Sequence, residues 1–289
     1  MPHRRHFVLN LPAGELRLGA RTLIMGVLNL TPDSFSDGGF FLKRDVAVAR
    51  ALQLERDGAD ILDIGGESTR PGSRGVTAKE ELRRVLPVIE RLQGRLKIPI
   101  SIDTQKAEVA RAALAAGAAI VNDVSALRTD RQLGELAAAT GAPLVLMHMR
   151  GSPRTMQKRG FARDVLRDVT RGLREAVARS CAAGVKKSQI ILDPGIGFGK
   201  SYAQNCELLA RLPELATLGY PLLAGTSRKA FIGAILSGDP IAPLPAHLRV
   251  WGTAATVTAA ILGGAHIVRV HDVKEMAQVA RLADAIAQS

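Results

Sequence analysis

The chain has 289 residues, 47% of them apolar but only 3% aromatic, and carries a formal net charge of +12. That length suits one (β/α)8 barrel, with a core that must be built from Ala, Val, Leu and Ile. Two cysteines without paired Cys or His spacing tell against both a disulfide framework and a zinc site.

The first twenty residues carry basic residues and then only a short apolar run, which charge and glycine interrupt before a signal-peptide core can form. No run reaches about 18 uninterrupted apolar residues, so no membrane partner is expected and the expected compartment is the cytoplasm. The net charge raises nucleic acid as a partner. Arg and Lys, however, alternate with acids, as in residues 162–179, and there is no basic tail or aromatic-rich basic strand. Nucleic acid is therefore not expected, and a basic mouth for an anionic substrate accounts for part of the charge.

Residues 7–19 read as a short hairpin turning at Pro12-Ala13-Gly14-Glu15. Eight apolar runs follow, at residues 22–29, 60–65, 99–103, 119–123, 143–148, 189–193, 221–226 and 266–271. Amphipathic stretches with a period near 3.6 lie between them, for example residues 44–57 and 78–92. Strands alternating with helices predict parallel βα units, and eight of them predict closure into an α/β (β/α)8 TIM barrel with an N-terminal hairpin. A doubly wound open sheet is the alternative. It needs no particular strand count. Residues 239–247, rich in proline, interrupt the seventh helical segment, and residues 1–289 read as one domain.

Polar residues stand at the end of every run: Asn29, Glu67-Ser68-Thr69-Arg70, Asp103, Asn122-Asp123, His148, Asp193, Ser227-Arg228-Lys229 and Arg269 to Asp272. Singly, each reads as a helix cap. Recurring around a ring, they converge on the face where barrel enzymes build their sites. Residues 194–201 nearly spell a P-loop, but Pro194 stands where its first glycine belongs. They also miss the dinucleotide fingerprint at Lys200, which leaves a tight glycine turn. Two loops, residues 31–39 and 65–73, are small, polar and punctuated by Gly and Pro, as loops that close over substrates are.

The runs MGVLNLTPDSFSDGG (25–39) and DILDIGGESTRPGS (60–73) resemble the two signatures of the dihydropteroate synthases. PISIDT, VNDVSA, DPGIGFGK, GTSRK and IVRVHDV follow in the family's order. The resemblance implies a TIM barrel that condenses a pterin pyrophosphate with p-aminobenzoate. It implies a pterin pocket of Asp103, Asn122, Asp193 and Lys229, with Met147 and Phe198 packing against the rings. It assigns Asn29, Thr69, Arg269 and His271 to the diphosphate, with Mg2+ at Asn29. Thr69, Arg70 and Pro71 would line the p-aminobenzoate site beside Phe198, and Asp37 would face the reacting carbon. Asp37, Lys229, Arg269 and His271 would carry the catalysis.

Ala230 stands where many relatives carry a hydroxyl or a basic residue, so a backbone N–H at that helix start is expected to meet the p-aminobenzoate carboxylate. A homodimer is also implied. The rival readings are a pterin-binding methyltransferase-type barrel, which has no use for the diphosphate set, an inactive pterin-binding relative, and a non-enzymatic nucleic-acid binder.

Overall fold

The computed structural model describes residues 4–31, 40–69, 72–73, 75–151, 155–156 and 160–289, with backbone only at 40–43. Strands β1 (Phe7–Leu11) and β2 (Gly14–Leu18) pair antiparallel, with Leu11 opposite Gly14, so Pro12 and Ala13 form the turn. Alternation turns Leu9 and Leu18 the same way, and they bury against Leu23, Ile61 and Ile267 at the base of the barrel. Burial of this kind contributes about 1.5–3 kcal/mol per leucine.

The barrel strands are β3 (Leu23–Asn29), β4 (Ile61–Gly65), β5 (Ile100–Asp103), β6 (Ile120–Asp123), β7 (Leu144–Met147), β8 (Ile190–Asp193), β9 (Leu223–Ala224) and β10 (Ile267–Val270). All are parallel, in the order β8-β7-β6-β5-β4-β3-β10-β9. One parallel bridge, between Leu192 and Leu222, joins the two edges and closes the ring. The sequence pattern thus locates the strands, but β9 has two residues where the run suggests six. Pro221 has no N–H to give a ladder. The Leu222 N–H goes instead to Nδ1 of His266, at 3.1 Å.

The helices are α1 (Phe40–Arg56), α2 (Ala78–Leu92), α3 (Ala107–Ala115), α4 (Gln132–Thr140), α5 (Val165–Ala182), α6 (Tyr202–Ala210), α7 (Leu212–Ala216), α8 (Ala230–Ser237), α9 (Val250–Leu262) and α10 (Val273–Gln288). Helix α2 shows the local logic. Thr77 caps its first turn by accepting from the Glu80 N–H, and Val85, Val88, Ile89 and Leu92 form the buried stripe. Outward strand residues such as Leu62, Ile64, Leu144 and Leu192 pack under the helices, while Met25, Ile61, Val145 and Ile191 fill the interior. With both faces covered, near-continuous apolar runs are what a parallel strand requires.

Paired residues of neighbouring strands point the same way. Asp63 pairs with Ser101, Asp103 with Asn122, Met147 with Asp193, and Arg269 with Met25. An interior layer of polar residues therefore sits above the apolar filling, at the C-terminal end of the barrel. Among the described residues, no helix is long and apolar enough to cross a membrane.

Candidate active site

The floor of the mouth is one guanidinium between two acids. Nε of Arg269 donates to Oδ2 of Asp63 at 2.6 Å, and Nη2 donates to Oδ2 of Asp103 at 2.7 Å. Nδ2 of Asn122 adds a bond to the same Asp63 oxygen at 3.2 Å. Asp63 is wholly buried, and its Oδ1 has no hydrogen-bond partner among the described residues. Carboxylates this deep require such pairing. Burial pushes the Asp103 carboxyl up from its ordinary range; Arg269 resists the shift and Asp63 adds to it. Of the Asn122-Asp123 pair, alternation turns only Asn122 inward. Asp123 accepts from the Ser125 and Leu127 N–H groups and shapes the turn behind the strand.

Asp193 closes the next part of the ring. One of its oxygens takes the Gly195 N–H at 2.7 Å, and burial raises its pKa against that bond and against Lys229. Lys229 lies with Nζ 3.9 Å from the centre of the Phe198 ring, a cation–π contact. Burial lowers its pKa to about 8, against the pull of Asp193. Phe198 also rests on the apolar cluster of Met147, Met149, Met156 and Val124. The expected pterin-pocket residues thus share one wall and floor.

The glycine segment between Asp193 and Lys200 proves to be a close approach of two backbones. At Gly195 φ is +64°, and a Cβ would lie 1.8 Å from the His148 carbonyl oxygen. At Gly199 φ is +65°, with Arg150 O at 2.5 Å from the same construction. Only glycine fits. Nζ of Lys200 then clamps the loop, donating to Gly195 O at 2.8 Å and Phe198 O at 3.0 Å, with Nδ1 of His148 at 3.1 Å. Burial lowers its pKa to about 7. Lys200 is a brace, and His148, although it ends a strand run, serves that brace.

Next in the ring, the His271 N–H donates to Oγ of Ser227 at 3.2 Å, and Nδ1 of the same histidine lies 3.0 Å from that hydroxyl. A hydroxyl that accepts the amide proton has its own proton for Nδ1. On this hydrogen-bond assignment the neutral ring carries its proton on Nε2. Burial, then Arg269 and Arg228, push the His271 pKa down to about 3. Arg228 holds a left-handed backbone, φ 59°, and is fixed by its ion pair to Asp272 and by Oγ1 of Thr253 accepting its N–H. That conformation costs on the order of 1 kcal/mol or more. It separates Ser227 from Lys229, and the Asp272 pair ties the β9 and β10 loops together.

Asn29 ends β3 partly exposed. Gly65 lies between it and Asp103, and a Cβ there would sit 3.7 Å from Oδ1 of Asn29 and 3.6 Å from Oδ2 of Asp103. Beyond β4, the Gly66 carbonyl accepts from Arg84 at 2.7 Å. Glu67 and the fully buried Glu81 share the Lys106 ammonium. Thr69 follows, partly buried. Asp37, Arg70 and Pro71 lie outside the described residues.

Strand-end reasoning missed Asp63, and it named Ser227 and Arg228 at the end of a run without giving either a part in the site. Asp63 left one signal, an acid inside the apolar run 60–65. Among the described residues, no group of three or more His, Cys, Asp or Glu is set to hold a metal. The ensemble can read the donor and acceptor edge of a flat heterocycle with carboxylates, an amide and an ammonium, cover its face with Met147 and Phe198, and offer Arg269 and His271 to an anion.

A family model described as a pterin binding enzyme matches residues 25–271. The dihydropteroate synthase of Synechocystis sp. is 50% identical over 283 residues, 97% of this chain and 96% of that protein. The solved structure of Xanthomonas albilineans dihydropteroate synthase with 4-aminobenzoic acid aligns with a TM-score of 0.90 at 43% identity, covering 99% of this chain and all of that one. The same organism's enzyme in complex with 7,8-dihydropteroate aligns at 0.83 and 43% identity, covering 94% and 97%.

Proposed function

The chain belongs to the pterin binding enzymes, among the dihydropteroate synthases, and from that premise we propose how its barrel mouth performs their reaction. The reaction joins 6-hydroxymethyl-7,8-dihydropterin pyrophosphate to p-aminobenzoate, giving 7,8-dihydropteroate and pyrophosphate, a step of folate synthesis. The observation that carries the mechanism is the convergence of Asp103, Asn122 and Asp193 from three strand ends, and of Lys229 from the loop after β9, into a polar layer at the barrel mouth beside Met147 and Phe198.

The pterin lies with its amino-pyrimidinone edge on that layer. Asp193 and Asp103 accept from ring N–H and amino groups, Asn122 both donates and accepts, and Lys229 donates to the carbonyl and N5 side. The diphosphate lies toward Asn29, Thr69, Arg269 and Nε2 of His271. The bond between the pterin methylene and the diphosphate oxygen breaks first, and its electron pair leaves with the diphosphate. Arg269 and His271 stabilise charge where it develops. Asp37 faces the methylene cation. The neutral arylamine of p-aminobenzoate attacks that carbon and then releases one proton. Such an amine needs no strong base, so positioning supplies most of the rate. Thr69, Arg70 and Pro71, with Phe198, hold the aryl ring. Ala230, as the first residue of α8, brings a helix-start N–H for the carboxylate.

Mg2+ fits as a companion of the substrate. Asn29 gives one neutral oxygen beside the space kept open at Gly65, while Asp63 and Asp103 are engaged by Arg269. That donor set suits an ion which keeps its waters and binds phosphate oxygens, and Asn29 would hold it. When bound, it draws off diphosphate charge.

A cytoplasmic homodimer completes the proposal. Cys181 and Cys206 are free, and α8, α9 and their connection expose Leu236, Ile241, Leu248 and Trp251.

The test is a steady-state assay with both substrates and Mg2+, following pyrophosphate and dihydropteroate together. Equal amounts of both are expected, with kcat/KM down about a hundredfold or more in Lys229→Ala. Pterin binding by calorimetry without turnover would overturn the reading.

A further inference from the structure

Asp63 has no part in the reaction proposed above, yet it holds two residues that do. Its Oδ2 accepts from Nε of Arg269 at 2.6 Å and from Nδ2 of Asn122 at 3.2 Å. Asp63 is 0% exposed, against 3% for Asn122, 6% for Asp193 and 7% for Asp103, so it lies beneath the layer that meets a ligand. Oδ1 finds no partner among the described residues. A carboxylate kept this deep with one oxygen unfilled is costly. Around the ring, apolar residues fill the interior instead: Val145, the strand partner of Asn122, and Ile191, the partner of Val145.

The bond to Asn122 fixes which way that amide faces. Asp63 stands two residues before Gly65 on β4; Gly65 pairs with Asp103, and Asp103 with Asn122. Asn122 therefore reaches down, toward the base of the barrel, to make the bond. An amide carries two donor protons on nitrogen and an acceptor oxygen across from it. One proton of Nδ2 goes to Asp63. The carbonyl oxygen and the second N–H are left for a ligand, in a set order. Turning the amide over would place Oδ1 against Oδ2 of Asp63, two acceptors with no proton between them. Nor is Asp63 free to turn, because Arg269 takes the same oxygen and is itself tied to Asp103 at 2.7 Å.

We propose that Asp63 is a positioning residue that sets specificity: it fixes the order in which Asn122 presents its acceptor and its donor, and so selects a heterocycle with an amino group beside a ring nitrogen. The inference rests on a pterin lying on this layer, as in the proposed reaction. On the amino-pyrimidinone edge, a carboxylate takes the ring N–H and one amino proton side by side. The second amino proton stands next to an unprotonated ring nitrogen. A carbonyl oxygen with an N–H at its side matches that pair; the reversed amide sets acceptor against acceptor and donor against donor. Asp63 thus acts on the pterin through Asn122 without touching it.

The test is calorimetric titration of the intact enzyme with 6-hydroxymethylpterin and with its counterpart lacking the amino group. Wild-type protein should favour the amino compound at least about tenfold, since the other leaves a buried acceptor unpaired. In Asp63→Asn that ratio should fall at least about threefold. In Asn122→Ala the ratio should fall too, and adding Asp63→Asn should then change it by less than about twofold, as for residues that act in series. A merely structural role would weaken both compounds alike, or lower the number of sites, and leave the ratio where it was. A ratio unchanged by Asp63→Asn, or lowered just as far in the Asn122→Ala background, would overturn the proposal. Should Asp63→Asn fail to fold, the wild-type side-chain amide of Asn122, assigned by its loss in Asn122→Ala, is read by nitrogen-15 resonance. One proton shifted well downfield is the mark of a bond to a carboxylate, and two ordinary amide protons would overturn the proposal. Turnover is measured separately, so its failure strikes the proposed reaction and not this ratio.

Discussion

Lys229 is the residue whose chemistry the fold alters most usefully. Buried against Phe198 and facing Asp193, its ammonium loses its proton near pH 8, not in the usual lysine range. The charge is present below that pH and lost above it. Because kcat/KM reports groups of the free enzyme, kcat/KM for the pterin pyrophosphate should fall as pH rises through about 8. In Lys229→Arg, whose guanidinium does not titrate there, the alkaline limb should vanish even though the absolute rate drops. A limb that stays at the same pH in the variant would assign it to another group. The residues that sequence alone missed are instructive at this scale. Strand ends are visible as polar punctuation, so Asn29, Asp103, Asn122 and Asp193 could be named in advance. Asp63 lies one layer deeper, and its partner Arg269 comes from a strand about two hundred positions away. Arg228 gives no sign in its letter of the left-handed backbone that aims its neighbours.

At the scale of elements, the eight strands and their order of use were legible because a parallel sheet covered on both faces writes itself as apolar runs. The shortness of β9 was not, since it depends on His266 taking the Leu222 N–H in place of a neighbouring strand. Likewise, the glycines of 195–199 invite a phosphate reading until the His148 and Arg150 carbonyls are seen pressed against them. The root of the loop after β4 is an element-level device of its own. Lys106, at the start of α3, holds Glu67 to Glu81 of α2, while Arg84 holds the Gly66 carbonyl. Releasing one member should loosen the chain around Thr69 without touching the pterin layer. Glu67→Ala is therefore expected to raise KM for p-aminobenzoate about three- to tenfold, with KM for the pterin substrate little changed. An equal rise in both constants would show that the triad supports the whole mouth. Lys106→Met is the harsher change, because it strands the buried Glu81 carboxylate at a cost of about 3–5 kcal/mol.

At the scale of the molecule, two surfaces matter beyond the mouth. Trp251 is 81% exposed and Ile241 92% exposed in the region of α8 and α9. Large apolar groups gathered in this way mark an association surface. Trp251→Glu should convert the proposed dimer to a monomer in sedimentation, and a wild-type chain that already sediments as a monomer would remove that part of the proposal. The base depends on His266, whose Nε2 meets the Arg5 carbonyl while Nδ1 accepts from Leu222. Burial lowers its pKa to about 4, so the unfolded chain binds this proton more readily between roughly pH 6.5 and 4. The stabilisation is complete above that window and is lost as pH falls through it. Denaturant unfolding should therefore show a wild-type advantage over His266→Gln that shrinks by up to about 1.4 kcal/mol per pH unit across the window. A constant advantage would mean that the ring's packing, not its proton, is what counts.

The closing bridge between Leu192 and Leu222 has a further consequence. It is the thinnest join in the ring, and the two residues proposed to grip the pterin from its edge stand on either side of it, Asp193 at the end of β8 and Lys229 just beyond β9. A molecule bound to both acts as a stitch across that seam. Occupancy and closure then become a single linked equilibrium. Slowed exchange of the Leu192 amide, which donates to the Pro221 carbonyl across the seam, would register that linkage in the presence of a pterin ligand, with the substrate serving for a moment as part of the scaffold.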